Sequence, residues 1–302
     1  MNTEQAWKIF KEYNAKDNPT QFEKDAFIEA SEFYIYADRD TPDRDIVLFN
    51  LASFYYDNEY YPQAKKYYEI LIDQYDDLSK NLAQTCLGKF YYYGHDGMPN
   101  YQKAYQYANQ AAEFESNLQA QWLKLACIYQ FNDSPSTDTR YTESVFQLTE
   151  TVVHRQSSWF APVPEAKLLI ASIFSETKDP SIKTICEELL QEARAFLPRR
   201  LQQSKNPDDL LLMHQIIDML PHTGQEILDI YDLIWLLKKD SAVSFTYAGA
   251  PYEVHAQQKD HHTVISFQDN WYCSIDDFLK KATIDGHVLR GIAHQISNIT
   301  KR

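Results

Sequence analysis

The sequence predicts a mainly α-helical protein that ends in a small α+β module. Apolar residues recur at three- and four-residue spacings from residue 3 to about 239, which is the period of an amphipathic helix. The chain has 7 Gly and 22 Tyr among its 302 residues, a balance that favours packed helices. After residue 240 apolar and polar residues alternate, as they do in half-buried strands.

Short polar turns divide the first 240 residues into twelve predicted helices. Pro62 and Pro180 lie in first turns, where the missing N–H of proline costs no hydrogen bond. Asp43 and Asp45 supply acidic side chains at the start of another helix. The predicted helices cover residues 3–15, 20–38, 43–57, 61–76, 79–93, 100–115, 118–131, 140–154, 164–176, 180–197, 207–220 and 224–239.

Residues 241–302 are expected to form three or four antiparallel strands followed by two helices. A helix cap at Ser274 and Asp277 opens the first helix, and the second is predicted over 287–300. The predicted strands are 242–247, 251–255, 263–267 and 271–273. The chain therefore divides into a helical domain, 1–240, and a module, 241–302.

A module of about 60 residues has a marginal core, so we expect it to pack against the last helices. Its predicted core contains the large apolar residues of the strands and of the first helix. These are Phe245, Tyr247, Tyr252, Val254, Val264, Ile265, Phe267, Trp271, Tyr272, Phe278 and Leu279.

A repeat runs through the helical part. Leu51-Ala52 and Tyr55 recur 36 residues later as Leu87-Gly88 and Tyr91. They recur again after 38 residues at 125–129, and a weaker copy begins at Ile170. Together with Ala64 and Tyr68, these steps match the tetratricopeptide pattern, in which small residues let two helices of a hairpin pack closely.

One unit resembles the Sel1-like repeat, a tetratricopeptide relative with a longer loop inside the hairpin. The resemblance covers about residues 44–195 and implies an α-solenoid that binds a protein or peptide on its concave face, as a scaffold, regulator or inhibitor. It rests on Ala83, Leu87, Gly88, Tyr91, Gly94, Gly97, Lys103, Ala104, Tyr107, Ala111, Ala112 and Ala120.

The charge restricts the class of partner. Lys and Arg number 29 against 43 Asp and Glu, a net charge of −14, and all of it falls on residues 1–240. Acidic surface repels nucleic acid and anionic lipid, so a basic protein is favoured as partner over DNA or a membrane. The chain shows no export signal and no apolar run long enough to span a bilayer, and its four cysteines form no CxxC pair. We therefore expect a cytoplasmic protein.

Tyrosines provide the candidate contact residues. Three consecutive tyrosines at 91–93 cannot share one buried helix face, because successive side chains are about 100° apart. Tyr55, Tyr68 and Tyr91 occupy core positions of the repeat. The better candidates for partner binding are the remaining members of these clusters, Tyr56, Tyr60, Tyr92 and Tyr93.

No catalytic motif is present in the sequence, so we expect a non-enzymatic protein that needs neither a cofactor nor a metal. Two alternatives stay open. An immunity-type inhibitor that covers a basic enzyme or toxin would use the same acidic surface. A small metal-dependent enzyme in the C-terminal module would use His255, His261 or His262, although their spacing fits no common zinc motif.

Overall fold

The protein is represented by a computed structural model. It describes residues 1–16, 19–37, 41–113, 117–131, 139–154, 164–203, 206, 208–219, 230–239, 242–259 and 262–301. Contacts divide the chain into two compact units, Met1–Phe160 and Ala161–Arg302. The last helix before the sheet ends at Lys239 and the first strand begins at Ala242, whereas the compact units divide some 80 residues earlier.

The first unit is helical throughout its described part. Each helix contacts the next, and in addition α3 contacts α5 and α5 contacts α7. Helical hairpins whose first helices also touch one another form a continuous layer. The helices are α1 (Thr3–Asn14), α2 (Gln21–Ala37), α3 (Arg44–Asp57), α4 (Tyr61–Gln74), α5 (Leu78–Tyr93), α6 (Tyr101–Ala111), α7 (Leu118–Phe131) and α8 (Thr139–His154).

Small residues set the close approach of these helices. A Cβ atom on Gly88 would lie 2.6 Å from Cδ2 of Leu123 on α7 and 3.4 Å from the carbonyl oxygen of Ala104 on α6. Ala104 and Ala108 on the facing side of α6 are fully buried. The small residue of the repeat therefore lies against the second helix of its own hairpin, as the sequence predicted, and also against α7.

In the second unit, helices and sheet share one apolar core, which runs from Leu168 to Ile299. The expected packing of the C-terminal module against the preceding helices is confirmed. The helices of this unit are α9 (Pro164–Ile173), α10 (Pro180–Gln203), α11 (Asp208–Met219), α12 (Ile230–Lys239) and α13 (Ile275–Lys281). Among all described helices, none is both long and apolar enough to cross a membrane.

Helix α10 continues through Pro198, although the sequence predicted an end at residue 197. Proline removes one backbone hydrogen bond and normally ends or bends a helix. Here Leu197 and Leu201, on either side of the proline, are both buried in the core of the unit. Their burial holds the last turn in place.

The described strands of the C-terminal module form a five-stranded antiparallel sheet in the order β4-β3-β2-β1-β7 and a separate pair, β5 and β6. One face, with Val243, Phe245, Val254, Ile265 and Phe267, is buried. The strands are β1 (Ala242–Tyr247), β2 (Ala250–Lys259), β3 (His262–Phe267), β4 (Asn270–Tyr272), β5 (Thr283–Ile284), β6 (His287–Val288) and β7 (Ser297–Lys301).

Two predictions for this module are wrong. Residues 287–300 form β6, a 3₁₀ helix (Leu289–Gln295) and β7 instead of one helix. The β-branched pair Ile299-Thr300 supplies the strand that pairs with β1, whose backbone needs a partner on that side. Trp271, predicted in the core, is 63% exposed, because its register partner Ser266 lies on the outward face of the sheet.

Candidate functional site

The candidate site is a helix surface in the first unit. Helices α3 and α5 begin the hairpins α3–α4 and α5–α6 and contact each other. Apolar residues at the helix period bury one side of each, and the other side forms what we call the A-helix face. It consists of Ile46, Asn50, Ser53 and Asp57 on α3, and of Leu78, Leu82 and Tyr93 on α5, whereas Lys89, between Leu82 and Tyr93, is buried.

The composition of the A-helix face changes along its length. At the start of the two helices, Ile46, Leu78 and Leu82 are 44%, 54% and 38% exposed. Halfway along, Ser53 lies 3.2 Å from the hydroxyl of Tyr68. At the far end, the half-buried Tyr93 adjoins a group of aromatic rings. The face therefore has an aliphatic end and an aromatic end.

The loop between α5 and α6 forms the aromatic end. Gly94 ends α5 in the left-handed conformation with φ of 75°, and a Cβ there would lie 2.7 Å from the nitrogen of Pro99. The amide of His95 donates to the carbonyl of Phe90, and Asn100 caps α6 by accepting from the amide of Lys103. These contacts fix His95 against the end of α5.

His95 joins the aromatic rings of two hairpins. Its ring stacks on Tyr61 with centroids 4.1 Å apart, and Nε2 lies 3.0 Å from the hydroxyl of Tyr56. It also meets Phe90 and Tyr93, each with ring centroids 5.9 Å away. The neighbouring Asp96 accepts from Lys65 at 3.0 Å. His95 and Asp96 therefore contact different partners, and both contact the neighbouring hairpin.

A second aromatic group continues from Tyr93 toward α7. Tyr92 contacts Tyr93, Tyr101 and Trp122 with ring centroids 5.2, 5.5 and 5.8 Å apart. The ammonium of Lys89 lies over the Trp122 ring at 5.7 Å, close enough for a cation–π contact. Burial raises the pKa of Tyr92 to about 12, so its hydroxyl stays protonated at neutral pH.

The structure brings three of the four candidate tyrosines together. Tyr56, Tyr92 and Tyr93 all belong to the aromatic end, whereas Tyr60 lies in the turn between α3 and α4 and is 55% exposed. Tyr56 is only 5% exposed, so its ring offers a partner almost no surface and instead supports His95. Its repeat position places it on the side of α3 that faces α5.

The three tyrosines assigned to the repeat core are buried, which confirms that prediction. Tyr55 is 9% exposed, Tyr68 is 2% exposed and Tyr91 is 5% exposed. Tyr91 stacks in parallel on Tyr107 with centroids 5.9 Å apart, and Lys103 lies 4.1 Å from the centre of the Tyr91 ring. These tyrosines stabilise the packing of the two helices within a hairpin.

Two thiols lie near the A-helix face. Burial raises the pKa of the Cys86 thiol, although Lys89 and the hydroxyl of Tyr68 lower it in part. Burial also raises the pKa of Cys127 to about 12. A protonated thiol is a poor nucleophile, so these cysteines act as small apolar residues.

The histidines proposed for a metal-dependent enzyme give no such site among the described residues. His255 lies on the outward side of β2 with its Nε2 atom 3.5 Å from Glu253. His261 and the side chain of His262 lie outside the described part of the chain. Within that part, no three His, Cys, Asp or Glu side chains are placed to hold a metal ion together.

The second unit contains a buried charged cluster that sequence reasoning missed. Arg200 donates to both carboxylate oxygens of Glu165 at 3.0 and 2.6 Å. It also pairs with Asp209 at 2.6 Å, and Arg290 approaches Asp209 at 4.0 Å. Asp209 and Glu165 are 0% and 3% exposed. The four residues come from α9, α10, α11 and the 3₁₀ helix, so no local sequence pattern predicts the cluster.

The charges in this cluster compensate one another. Burial disfavours the charged form of Arg200, but the carboxylates of Glu165 and Asp209 favour it more strongly. The pKa of the guanidinium therefore lies above its usual value. Burial raises the pKa of Asp209, and the two arginines lower it in part. Two cations and two anions in direct contact leave no excess charge for a ligand, which gives the cluster a structural role.

Comparison with family models, with curated proteins and with solved structures found no match to this chain. The function is therefore argued from the A-helix face and its surroundings.

Proposed function

We propose that the protein is a cytoplasmic, non-enzymatic scaffold or regulator that binds a protein or peptide on the A-helix face. In this proposal the hairpins α3–α4, α5–α6 and α7–α8 form a solenoid of the tetratricopeptide or Sel1-like type, and the A-helix face is its concave side. The contacts of α3 with α5 and of α5 with α7 support this arrangement, because first helices of successive hairpins touch in such stacks.

The observation that carries the proposal is the exposure of aliphatic side chains at one end of the A-helix face, on two neighbouring helices, with a half-buried tyrosine at the other end. Ile46, Leu78 and Leu82 are all more than one third exposed, and Tyr93 is half-buried at the other end. Contiguous apolar side chains at a surface mark interaction sites in soluble proteins. Tyrosine adds a large ring with a polar tip, which suits it to binding hot spots.

The net charge of the first unit favours a basic protein as the partner. The first unit has 24 acidic and 14 basic residues, a net charge of −10 out of −14 for the chain. Such a field accelerates encounter with a cationic surface and repels an anionic one. Raising the ionic strength should therefore slow association with the partner.

Site-specific photo-crosslinking tests the proposal. A photoreactive phenylalanine analogue replaces Leu82 on the A-helix face or, as a matched control, Phe22, which is 82% exposed on α2. We expect a stoichiometric crosslink to one protein in source-cell lysate from position 82 and none to that protein from position 22. Equal crosslinking from both positions, or none from position 82, would refute binding at this face.

A further inference from the structure

We infer that the aliphatic end of the A-helix face binds a basic amphipathic helix of another protein. This inference rests on the proposed function and adds the chemistry and the place of the partner segment. The site, which we call the aliphatic patch, consists of Ile46 on α3 and of Leu78 and Leu82 on α5.

A hydrogen bond fixes the relative rotation of the two helices. The hydroxyl of Ser79 donates to Asp45 at 2.6 Å, so these two residues face each other across the α3–α5 contact. Ile46 follows Asp45 by about 100° around α3, and Leu78 precedes Ser79 by the same angle around α5. In two helices that run the same way side by side, these opposite rotations turn Ile46 and Leu78 toward the same side.

Leu82 belongs to the same side of α5, because it lies four residues after Leu78. Ile46 and Leu82 also occupy equivalent positions of the repeat, 36 residues apart. The third equivalent position, Ala120 on α7, is fully buried and small. The patch therefore ends at α5 and presents three aliphatic side chains in a triangle, which suits the apolar side of one helix.

Acidic residues flank the patch in the chain. Asp43 and Asp45 precede Ile46, and Asp76 and Asp77 precede Leu78. Asp76 is 95% exposed and pairs with Lys80 at 2.9 Å, while Asp77 caps α5 by accepting from the amide of Ser79. Four carboxylates against Arg44 and the paired Lys80 leave an excess of two negative charges around an apolar centre.

An apolar patch flanked by carboxylates favours one class of partner. A membrane-bound acidic lipid and a nucleic acid both carry negative charge and would be repelled. An uncharged apolar helix would gain from the three aliphatic side chains but not from the carboxylates. A helix with Leu or Ile on one side and Lys or Arg flanking it satisfies both, since its apolar residues bury the patch and its cations meet the aspartates.

Fluorescence anisotropy with a labelled peptide tests this directly. The probe is a Leu/Lys amphipathic peptide of about 14 residues, roughly four helical turns. Matched peptides replace every Lys with Glu, or every Leu with Ser. We expect the full-length protein to bind the Leu/Lys peptide in a salt-sensitive manner and to bind neither replacement.

Protein variants locate the binding. The double variant Leu78→Ser, Leu82→Ser should weaken binding by about tenfold or more, as loss of buried anchor residues does. The control Phe22→Ser removes a more exposed aromatic residue outside the patch and should change affinity by less than about twofold. Circular dichroism of each variant confirms that it is folded.

Two results would overturn the inference: an equal loss in Phe22→Ser, which indicates unspecific adsorption, or equal binding of the Glu peptide. These outcomes are separable from failure of the proposed function. If the photo-crosslink from position 82 succeeds while the Leu/Lys peptide does not bind at the patch, the A-helix face is a binding site and the partner is not a basic helix.

Discussion

A different kind of contact stabilises the interior of each of the two compact units. In the first unit, small residues such as Gly88 and Ala104 let neighbouring helices approach, and tyrosines stack between the two helices of a hairpin. This unit contains 18 of the 22 tyrosines. In the second unit, α9 to α13 and the sheet enclose one core, and a buried cluster of four charges joins distant segments.

The difference lies in the range of the contacts along the chain. Contacts in the first unit join helices that are neighbours or next neighbours along the chain. In the second unit Glu165 meets Arg200, and Arg290 reaches Asp209 some 80 residues away, as the 4.0 Å separation shows. Loss of one member of this buried cluster leaves its partners with uncompensated charge.

The largest expected effect is the loss of Asp209. We expect Asp209→Asn to destabilise the second unit by about 3–5 kcal/mol, because it leaves Arg200 and Arg290 buried with less compensating charge. Urea denaturation measures the loss of free energy, and hydrogen exchange assigns it to residues 161–302. The matched control is Asp218→Asn on the same helix, which removes an exposed pair with Lys238 and should cost less than about 1 kcal/mol.

Equal destabilisation by Asp209→Asn and Asp218→Asn would show that burial of the cluster contributes nothing special to the second unit. The contrast between the units would then fail.

We expect an intermediate loss of stability when a larger side chain replaces a small residue at a helix–helix contact of the first unit. Gly88→Val places atoms where Leu123 and the backbone of Ala104 lie, and should cost about 1–3 kcal/mol through overpacking. Hydrogen exchange should rise in peptides from α5, α6 and α7 and stay unchanged in the second unit. Gly291→Val is the control, since no atom lies within 4 Å of a Cβ built there.

If Gly88→Val left exchange in α5 to α7 unchanged, the close approach of the hairpins would not depend on that glycine.

A smaller, pH-dependent effect concerns the contact between α11 and α13. His214 Nε2 lies 2.7 Å from Asp276. Burial opposes the charge of Asp276, but the hydrogen bond with His214 and the positive charges of His214, Lys280 and Arg290 together outweigh it, so the pKa of Asp276 is lowered. A lowered pKa stabilises the fold above the unfolded value of about 3.9, and this contribution disappears as pH falls through the folded value.

We therefore expect Asp276→Asn to be less stable than wild type near neutral pH, by less than about 1 kcal/mol because the Asp276 side chain is 45% exposed. The difference should shrink as the pH drops below about 4. Urea denaturation at several pH values measures it. In a His214→Ala background the same substitution should show a smaller pH dependence, because only Lys280 and Arg290 then lower the pKa of Asp276, and an unchanged pH dependence would show that His214 does not contribute to it.

The smallest expected effect on stability belongs to the aliphatic patch. Leu78 is 54% exposed at the start of α5, so Leu78→Ser should change the free energy of unfolding by no more than about 0.5 kcal/mol. Its effect on binding of the Leu/Lys peptide should be much larger. A loss of stability that matched the loss of binding would make Leu78 a structural residue and not a binding one.

The sequence predicted the first unit well, because local patterns govern it. Helical periodicity placed α3 to α7 close to their observed bounds, and the repeat placed Tyr55, Tyr68 and Tyr91 in the core. The sequence did not show that Tyr56, unlike Tyr92 and Tyr93, is almost fully buried, since the burial of Tyr56 depends on His95 in the next hairpin. Ile46 and Leu82 occupy equivalent positions of the repeat, but their exposure and that of Leu78 became visible only once the helices were packed.

The sequence by itself determined the helices of the first unit, the strands β1 to β4 and the change from helix to strand near residue 240, because spacing, caps and turns act over a few residues. Tertiary structure decided the rest. The pairing of β7 with β1, the exposure of Trp271 and the burial of Arg200 each depend on a partner far along the chain. A residue's pattern of neighbours in sequence carries no information about such a partner, and burial of charge is favourable only when that partner is present.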